Sequence, residues 1–158
     1  MMPNWCENVV TFTGPREKLD ALIEGAGKGE LLNTIRPMPE SVFRGNVGTA
    51  EREEHGSNNW YDWSVEHWGT KWDVGDVDVE DEGESVTFRF DSAWSPPVEA
   101  YRYAEDQGLA VAAMYCETGF DFVGRYGGGV EATTPIEDCE DEELRDTFAF
   151  AFEEWDDE

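Results

Sequence analysis

The chain has 158 residues, 37 of them acidic and 11 basic, for a formal net charge of −26. That length suits one domain with a real core, and clustered lysine and arginine of the kind that neutralise phosphates are missing, which argues against direct nucleic-acid binding. The opening residues lack the basic start and apolar run of a secretory signal, no segment reaches membrane-spanning length, and Cys6, Cys116 and Cys139 have neither metal-site nor disulfide-framework spacing, so a cytoplasmic, reducing setting with no membrane contact, no metal and no cofactor is expected.

A first strand is predicted over Asn8 to Thr13, where β-branched and aromatic residues run up to a Gly14-Pro15 stop. Pro15 opens a helix from Arg16 to about Glu24, with Leu19, Leu22 and Ile23 on one face and Gly25-Ala26-Gly27 as its end. Residues 28 to 58 make a long connection in which Leu31, Leu32 and Ile35 dock on the core. Its polar span Glu51 to Gly56 is the expected mobile part.

The most aromatic stretch of the chain follows, Asn59 to Asp73, with four of the seven tryptophans. Trp60, Trp63, Ser64 and His67 fall at i, i+3, i+4 and i+7, beside Tyr61, Val65 and Trp68, which predicts a helix from about Asn59 to Trp68 ended by Gly69. Residues 72–80 and 84–91 alternate in character around Asp81-Glu82-Gly83 and read as a hairpin, with Val77 and Val79 inward and Asp76, Asp78 and Glu80 outward. Ser95 is the expected cap of a second helix carrying Val98, Tyr101 and Ala104 on its inner side as far as Gly108. Leu109 to Cys116 suits a buried strand and Asp121 to Val130 a further one beside it, interrupted by Gly127-Gly128-Gly129.

From Pro135 to Glu158 there are twelve acidic residues and one arginine, yet Leu144, Phe148, Ala151, Phe152 and Trp155 fall on one face at helical spacing. The order strand, helix, strand, strand, helix, strand is the split β-α-β pattern. The expected fold is therefore α+β and ferredoxin-like: an antiparallel sheet with helices on one face, a tryptophan-rich helical insertion before the second strand and an acidic C-terminal helix, all in a single domain over residues 1–158.

The acid is unevenly spread: residues 1–50 hold 6 acidic and 5 basic residues, residues 51–158 hold 31 and 6. Two readings compete. Concentrated salt shortens the Debye length to about 3 Å at 1 M and mutes repulsion between surface carboxylates, so a salt-adapted host would explain the charge. Alternatively, carboxylates on one face imitate the phosphates of a nucleic acid and occupy a basic groove on a host protein that handles DNA or RNA. The candidate partner-binding acids are Asp76, Asp78, Glu80, Asp81, Glu82 and Glu84 on the hairpin and Glu140, Asp141 and Glu143 in the tail.

A second candidate site is an aromatic pocket of Trp60, Trp63, Trp68, Lys71, Trp72 and Trp94, in which indoles stack on a nucleotide or metabolite and Lys71 answers an anion. The plainer alternative is core packing, with Lys71 paired to Asp73 or Asp91. No catalytic residue is singled out. Asp62 and His67 are five apart and share a helical face poorly, and Cys6 has no histidine nearby in sequence. The acids from Glu137 to Glu143 lack the calcium-loop pattern, and the triple glycine lacks the lysine and helix of a phosphate loop.

Several rare motifs carry a resemblance: Met2-Pro3-Asn4-Trp5-Cys6, Trp60-Tyr61-Asp62-Trp63, Trp68-Gly69-Thr70-Lys71-Trp72-Asp73 and Ala93-Trp94-Ser95-Pro96-Pro97. In this order, over residues 2 to about 130, the chain resembles the Api92-like (YubB-like) family of phages, plasmids and bacterial genomes. The resemblance implies a ferredoxin-like domain, a viral or mobile-element setting and a surplus Met1, but no activity. The function expected from all of this is non-enzymatic: an acidic accessory or anti-defence factor engaging a basic site on a host protein. The competing expectation is a small-ligand protein or enzyme using the tryptophan cluster, with the acid owed to salt alone.

Overall fold

Alternation along the first strand divides the molecule into two faces. In β1 (Trp5–Thr13), Cys6, Asn8, Val10 and Phe12 are buried on one side while Trp5, Glu7, Val9 and Thr11 point to the other. The structure, a computed structural model, describes residues 4–156; Met1 and the side chain of Trp155 lie outside the described residues. β1 starts earlier than predicted because Trp5 to Glu7 have strand partners on both sides or one. It pairs antiparallel with β3 (Ser85–Ala93) and with β4 (Ala110–Glu117). β2 (Asp78–Asp81) forms one edge beside β3, and β5 (Phe122–Gly127) and β6 (Val130–Thr134) extend the sheet beyond β4. The six strands run in the order β2-β3-β1-β4-β5-β6, so the first four have the ferredoxin-like arrangement.

The first face is covered by α1 (Arg16–Gly27), α2 (Leu31–Ile35), α4 (Trp60–His67) and α5 (Val98–Asp106). Leu19, Leu22, Leu31, Leu32 and Tyr101 pack there on Val10, Phe12, Val86 and Phe88, each fully buried apolar side chain stabilising by about 1.5–3 kcal/mol. Phe12 meets Phe88 and Tyr101 edge-on at 5.8 and 6.2 Å. Gly25 does not stop α1. It is the contact point with α2, where a Cβ would sit 2.0 Å from Thr34 Oγ1.

The second face is covered in part by the acidic tail. After a turn at Ile136–Asp138, α6 (Glu142–Thr147) and α7 (Ala149–Asp156) lay Leu144, Phe148, Ala151 and Phe152 on Cys116 and Val123. The predicted single helix is divided at Phe148, whose backbone leaves the helical region (φ −113°, ψ 39°); Leu144 is buried from the first half and Ala151 and Phe152 from the second, while Phe150 is exposed off that stripe. Arg125 of β5 anchors the segment, donating to both oxygens of Asp141 at 2.7 and 2.8 Å and lying 2.7 Å from Glu143.

Three further expectations are corrected, and a fourth, the triple glycine as a turn, is met. The polar span Glu51 to Gly56, expected as part of a loop, lies largely in α3 (Thr49–His55), because Ala50, Glu51, Arg52, Glu53 and Glu54 are good helix formers, with contacts from Arg52 to Asp62 at 2.7 Å and from His55 stacked on Phe43. Val79 is exposed, since β2 is an edge strand with no helix above it. Ser95 does not cap α5, which starts behind Pro97; its hydroxyl donates to the Gly69 carbonyl at 2.6 Å and ties the tryptophan segment to the sheet. The triple glycine is a turn between two strands, Gly128 and Gly129 both having positive φ as a two-residue hairpin requires.

Candidate binding site

Register brings two carboxylates together that are 84 residues apart in sequence. Glu7 of β1 stands directly opposite Asp91 of β3 on the second face. Around them opens a cleft of about 660 Å³, with Trp5 and Val9 on its floor, Thr147 and Phe148 of the tail on one wall and Asp73, Gly75, Asp76 and Asp78 on the other. Both carboxyl groups keep a solvent-exposed edge. Partial burial nevertheless raises each above the ordinary carboxylate range, and for Glu7 the neighbouring charge of Asp91 adds to the effect. Among the described residues neither makes a hydrogen bond or ion pair. The cation lining the cleft, Arg89, faces Asp78 across the strands and reaches Glu80 at 3.4 Å.

Trp5 connects the cleft to an aromatic ridge. Its ring lies 6.2 Å from that of Trp72, and Lys71 Nζ sits 4.4 Å from the Trp72 centroid, 5.2 Å from Trp94 and 5.8 Å from Tyr61. Trp5, Trp72 and Trp94 are 43%, 38% and 37% exposed, unusual for side chains of this size. Trp94 is also held in the left-handed region at φ 66°, its N–H donating to the Asn4 carbonyl at 2.8 Å. Among the described residues Lys71 has no carboxylate within ion-pair distance, so the expected pairing with Asp73 or Asp91 does not occur. Asp73 instead caps α2, accepting from the Leu32 and Asn33 amides at 2.8 and 2.9 Å. Burial outweighs those bonds and raises its pKa.

The predicted aromatic pocket therefore divides. Lys71, Trp72 and Trp94 come together, whereas Trp63 and Trp68 are core residues, edge-on to each other at 5.3 Å, with Trp68 Nε1 donating to the Arg36 carbonyl. Trp60 meets the Lys71 group through Tyr61, edge-on at 5.8 Å, and its Nε1 donates to the Gly45 carbonyl at 2.8 Å.

The predicted acids divide as well. Asp76 and Asp78 line the cleft, Glu80 meets Arg89, and Glu82 accepts from Thr87 Oγ1. Asp81 points to the helical side, where two guanidinium nitrogens of Arg16 hold its carboxyl down at about 2. Glu84 is exposed in the hairpin turn. Asp141, held at about 2 by Arg125, and Glu143 anchor the tail, and Glu140 is exposed beside them. β2 and β5 are four strand spacings apart, about 19 Å, so hairpin and tail acids form two patches.

Nothing resembling a nucleophile and base is assembled among the described residues. Burial pushes the Cys6 thiol well up, Asp62 is engaged by Arg52 and Asn59, and His67 lies tilted against Trp63, ring centroids 4.8 Å apart. All three cysteines are free and buried. No group of side chains suited to a metal ion occurs, and no helix is long and apolar enough to cross a membrane, among the described residues. The sequence reading missed Trp5, Glu7, Asp91 and Tyr61 as site residues. The alternation of Trp5-Cys6-Glu7 put two of them on one face, but only strand register shows what they oppose.

No family model and no curated protein matches the sequence. Among solved structures, the chain is similar to the crystal structure of a protein api92 from Yersinia pseudotuberculosis, at 9% identity and a TM-score of 0.54, covering 84% of this chain and 98% of that one. At that identity the likeness establishes a shared fold, and at the level of fold it bears out the resemblance carried by the tryptophan motifs.

Proposed function

We propose that this chain is a binding protein whose site is the cleft between β1, β3 and the tail, and that its ligand is a cationic segment of a protein partner. Arginine- or lysine-rich stretches of this kind occur on host proteins that handle nucleic acid, which fits an accessory or anti-defence role. The observation that carries the reading is the unneutralised pair Glu7 and Asp91, facing each other beside an exposed indole. Like charges directly opposite on neighbouring strands destabilise a sheet. A guanidinium between them relieves that repulsion, and its planar face stacks on Trp5. Asp73, Asp76 and Asp78 extend the same potential along the cleft wall. The acids of α1, α3 and α5, such as Asp20, Glu53 and Asp106, lie outside this face, which favours salt-adapted solvation for the general charge and confines partner recognition to the cleft.

The test is a tryptophan-fluorescence titration with a short oligoarginine peptide. Binding shifts the emission, weakens as salt is raised, and falls about tenfold or more, equivalent to about 1.4 kcal/mol, in the Glu7→Gln/Asp91→Asn double variant. Unchanged affinity in that variant rejects the cleft. One observation favours a second reading: Lys71 has aromatic neighbours and, among the described residues, no carboxylate partner, which suits a small anionic ligand on the Trp72–Trp94 ridge. That reading requires quenching by nucleotides that is lost in Lys71→Ala.

A further inference from the structure

The two edges of the sheet are built differently. At one end, three of the four residues of β2 are acidic, Asp78, Glu80 and Asp81, and charge of this kind blunts pairing with another strand. At the other end, β6 carries Val130, Glu131, Ala132, Thr133 and Thr134, with neither lysine nor proline. Its single charge is answered within the chain by Arg102, 3.8 Å from Glu131.

The two-residue turn at Gly128-Gly129 fixes which main-chain groups of β6 face outward. Val130, Ala132 and Thr134 form the hydrogen-bonded pairs with Gly127, Arg125 and Val123, so the N–H and C=O of Glu131 and Thr133 point away from β5. The Ala132 carbonyl does lie over β5, 2.4 Å from where a Cβ on Gly124 would be. Among the described residues the outward groups of Glu131 and Thr133 have no backbone partner.

We infer that β6 is a dimerisation edge, pairing antiparallel with β6 of a second copy about a two-fold axis at Ala132. Centred there, Glu131 of each copy meets Thr133 of the other, so the outward donors and acceptors satisfy one another in two hydrogen-bonded pairs. No register is needed beyond the one the chain already presents. On the second face Val130, 66% exposed, opposes Thr134 of the other copy and Ala132 opposes Ala132. This strip continues a groove of about 520 Å³ lined by Ala112, Met114, Val130 and Ala132, which pairing would extend into the same face of the second copy. Glu131 is the one acid at the seam, and its Arg102 partner lowers the cost of bringing two seams together.

Two chains of net charge −26 repel at long range, and salt removes that barrier. Dimer formation therefore strengthens with salt, opposite to the binding of a cationic partner in the cleft. Failure of one idea leaves the other standing, because the cleft lies at β1 and β3 and the seam at β6.

The experiment is sedimentation of the full chain over a salt series, with Ala132→Lys and Ala132→Glu variants. Ala132 is exposed, so neither substitution disturbs the core. The parent chain passes from monomer to dimer as salt rises. Each variant places like charges face to face at the two-fold axis and remains monomeric at intermediate salt, where an equimolar mixture of the two forms a heterodimer. In the parent dimer, the Glu131 and Thr133 amides gain hydrogen-exchange protection that they lack in the monomer. A dimer insensitive to both variants places the interface elsewhere and overturns the inference. So does a chain that stays monomeric at every salt concentration, which would leave β6 to a strand from a different protein.

Discussion

Trp94 shows how a single residue trades stability for surface. A non-glycine side chain in the left-handed region costs roughly 1–2 kcal/mol, because Cβ crowds the following carbonyl oxygen. Here that strain is held by the Asn4 carbonyl on the Trp94 amide and by Ser92, which bridges Asn8 Nδ2 and the Ser95 carbonyl. The result is an indole aimed outward beside Lys71 rather than buried. Glycine accepts this backbone conformation without strain, whereas alanine does not. Thermal unfolding should therefore reverse the usual order, with Trp94→Gly more stable than Trp94→Ala by about 1 kcal/mol. Equal stabilities, or the usual advantage of alanine, would mean that the backbone there is not strained.

At the scale of elements, the tail decides what the sheet can bind. It covers Cys116 of β4 and Val123 of β5 and leaves two openings on that face, the cleft over β1 and β3 and the groove beside β6. Phe148 is 2% exposed at the edge of the cleft, and Phe148→Ala should cost about 3–5 kcal/mol or release the tail outright. Thiol labelling distinguishes the faces: Cys116 and Cys139 lie under the tail and become reactive, while Cys6, on the helical side, stays protected. Reactivity of Cys6 in step with the other two would indicate global unfolding instead. Periodicity in the sequence located β1, α1, α4, the β2–β3 hairpin, α5, β4 and the apolar stripe of the tail, because each element's spacing reflects what it buries. It did not reveal β6, whose residues are nearly all exposed, or α3, whose polar composition looked like a loop. The carboxylate pair and the Arg125–Asp141 anchor are long-range contacts, and neither local pattern nor composition specifies them.

For the whole molecule, antiparallel pairing through β6 keeps the second faces of both copies on the same side, so two clefts would be presented together and gain avidity for a partner with repeated basic segments. The same charges govern the response to pH. Glu7, Asp91 and Asp73 have folded pKa values raised above their ordinary ones, so their contribution to stability is fully present below the ordinary value and is lost as pH rises through the raised one. Asp81 and Asp141 have the opposite sign: held at about 2, they contribute above the ordinary aspartate value of 3.8 and lose that contribution as pH falls toward 2. Protonation also relieves the general repulsion of a chain at −26. Stability should thus rise as pH is lowered from neutrality, reach its maximum at about pH 4–5 and fall below that. In the Glu7→Gln/Asp91→Asn variant the repulsive pair is gone, so at neutral pH it should unfold at a higher temperature than the parent, with the gap closing as pH approaches the ordinary carboxylate range. Unfolding temperatures recorded across that range at constant salt provide the check: a gap that stays constant with pH would show that the two carboxylates do not oppose the fold, and with it the electrostatic reason for a cation in the cleft would be lost.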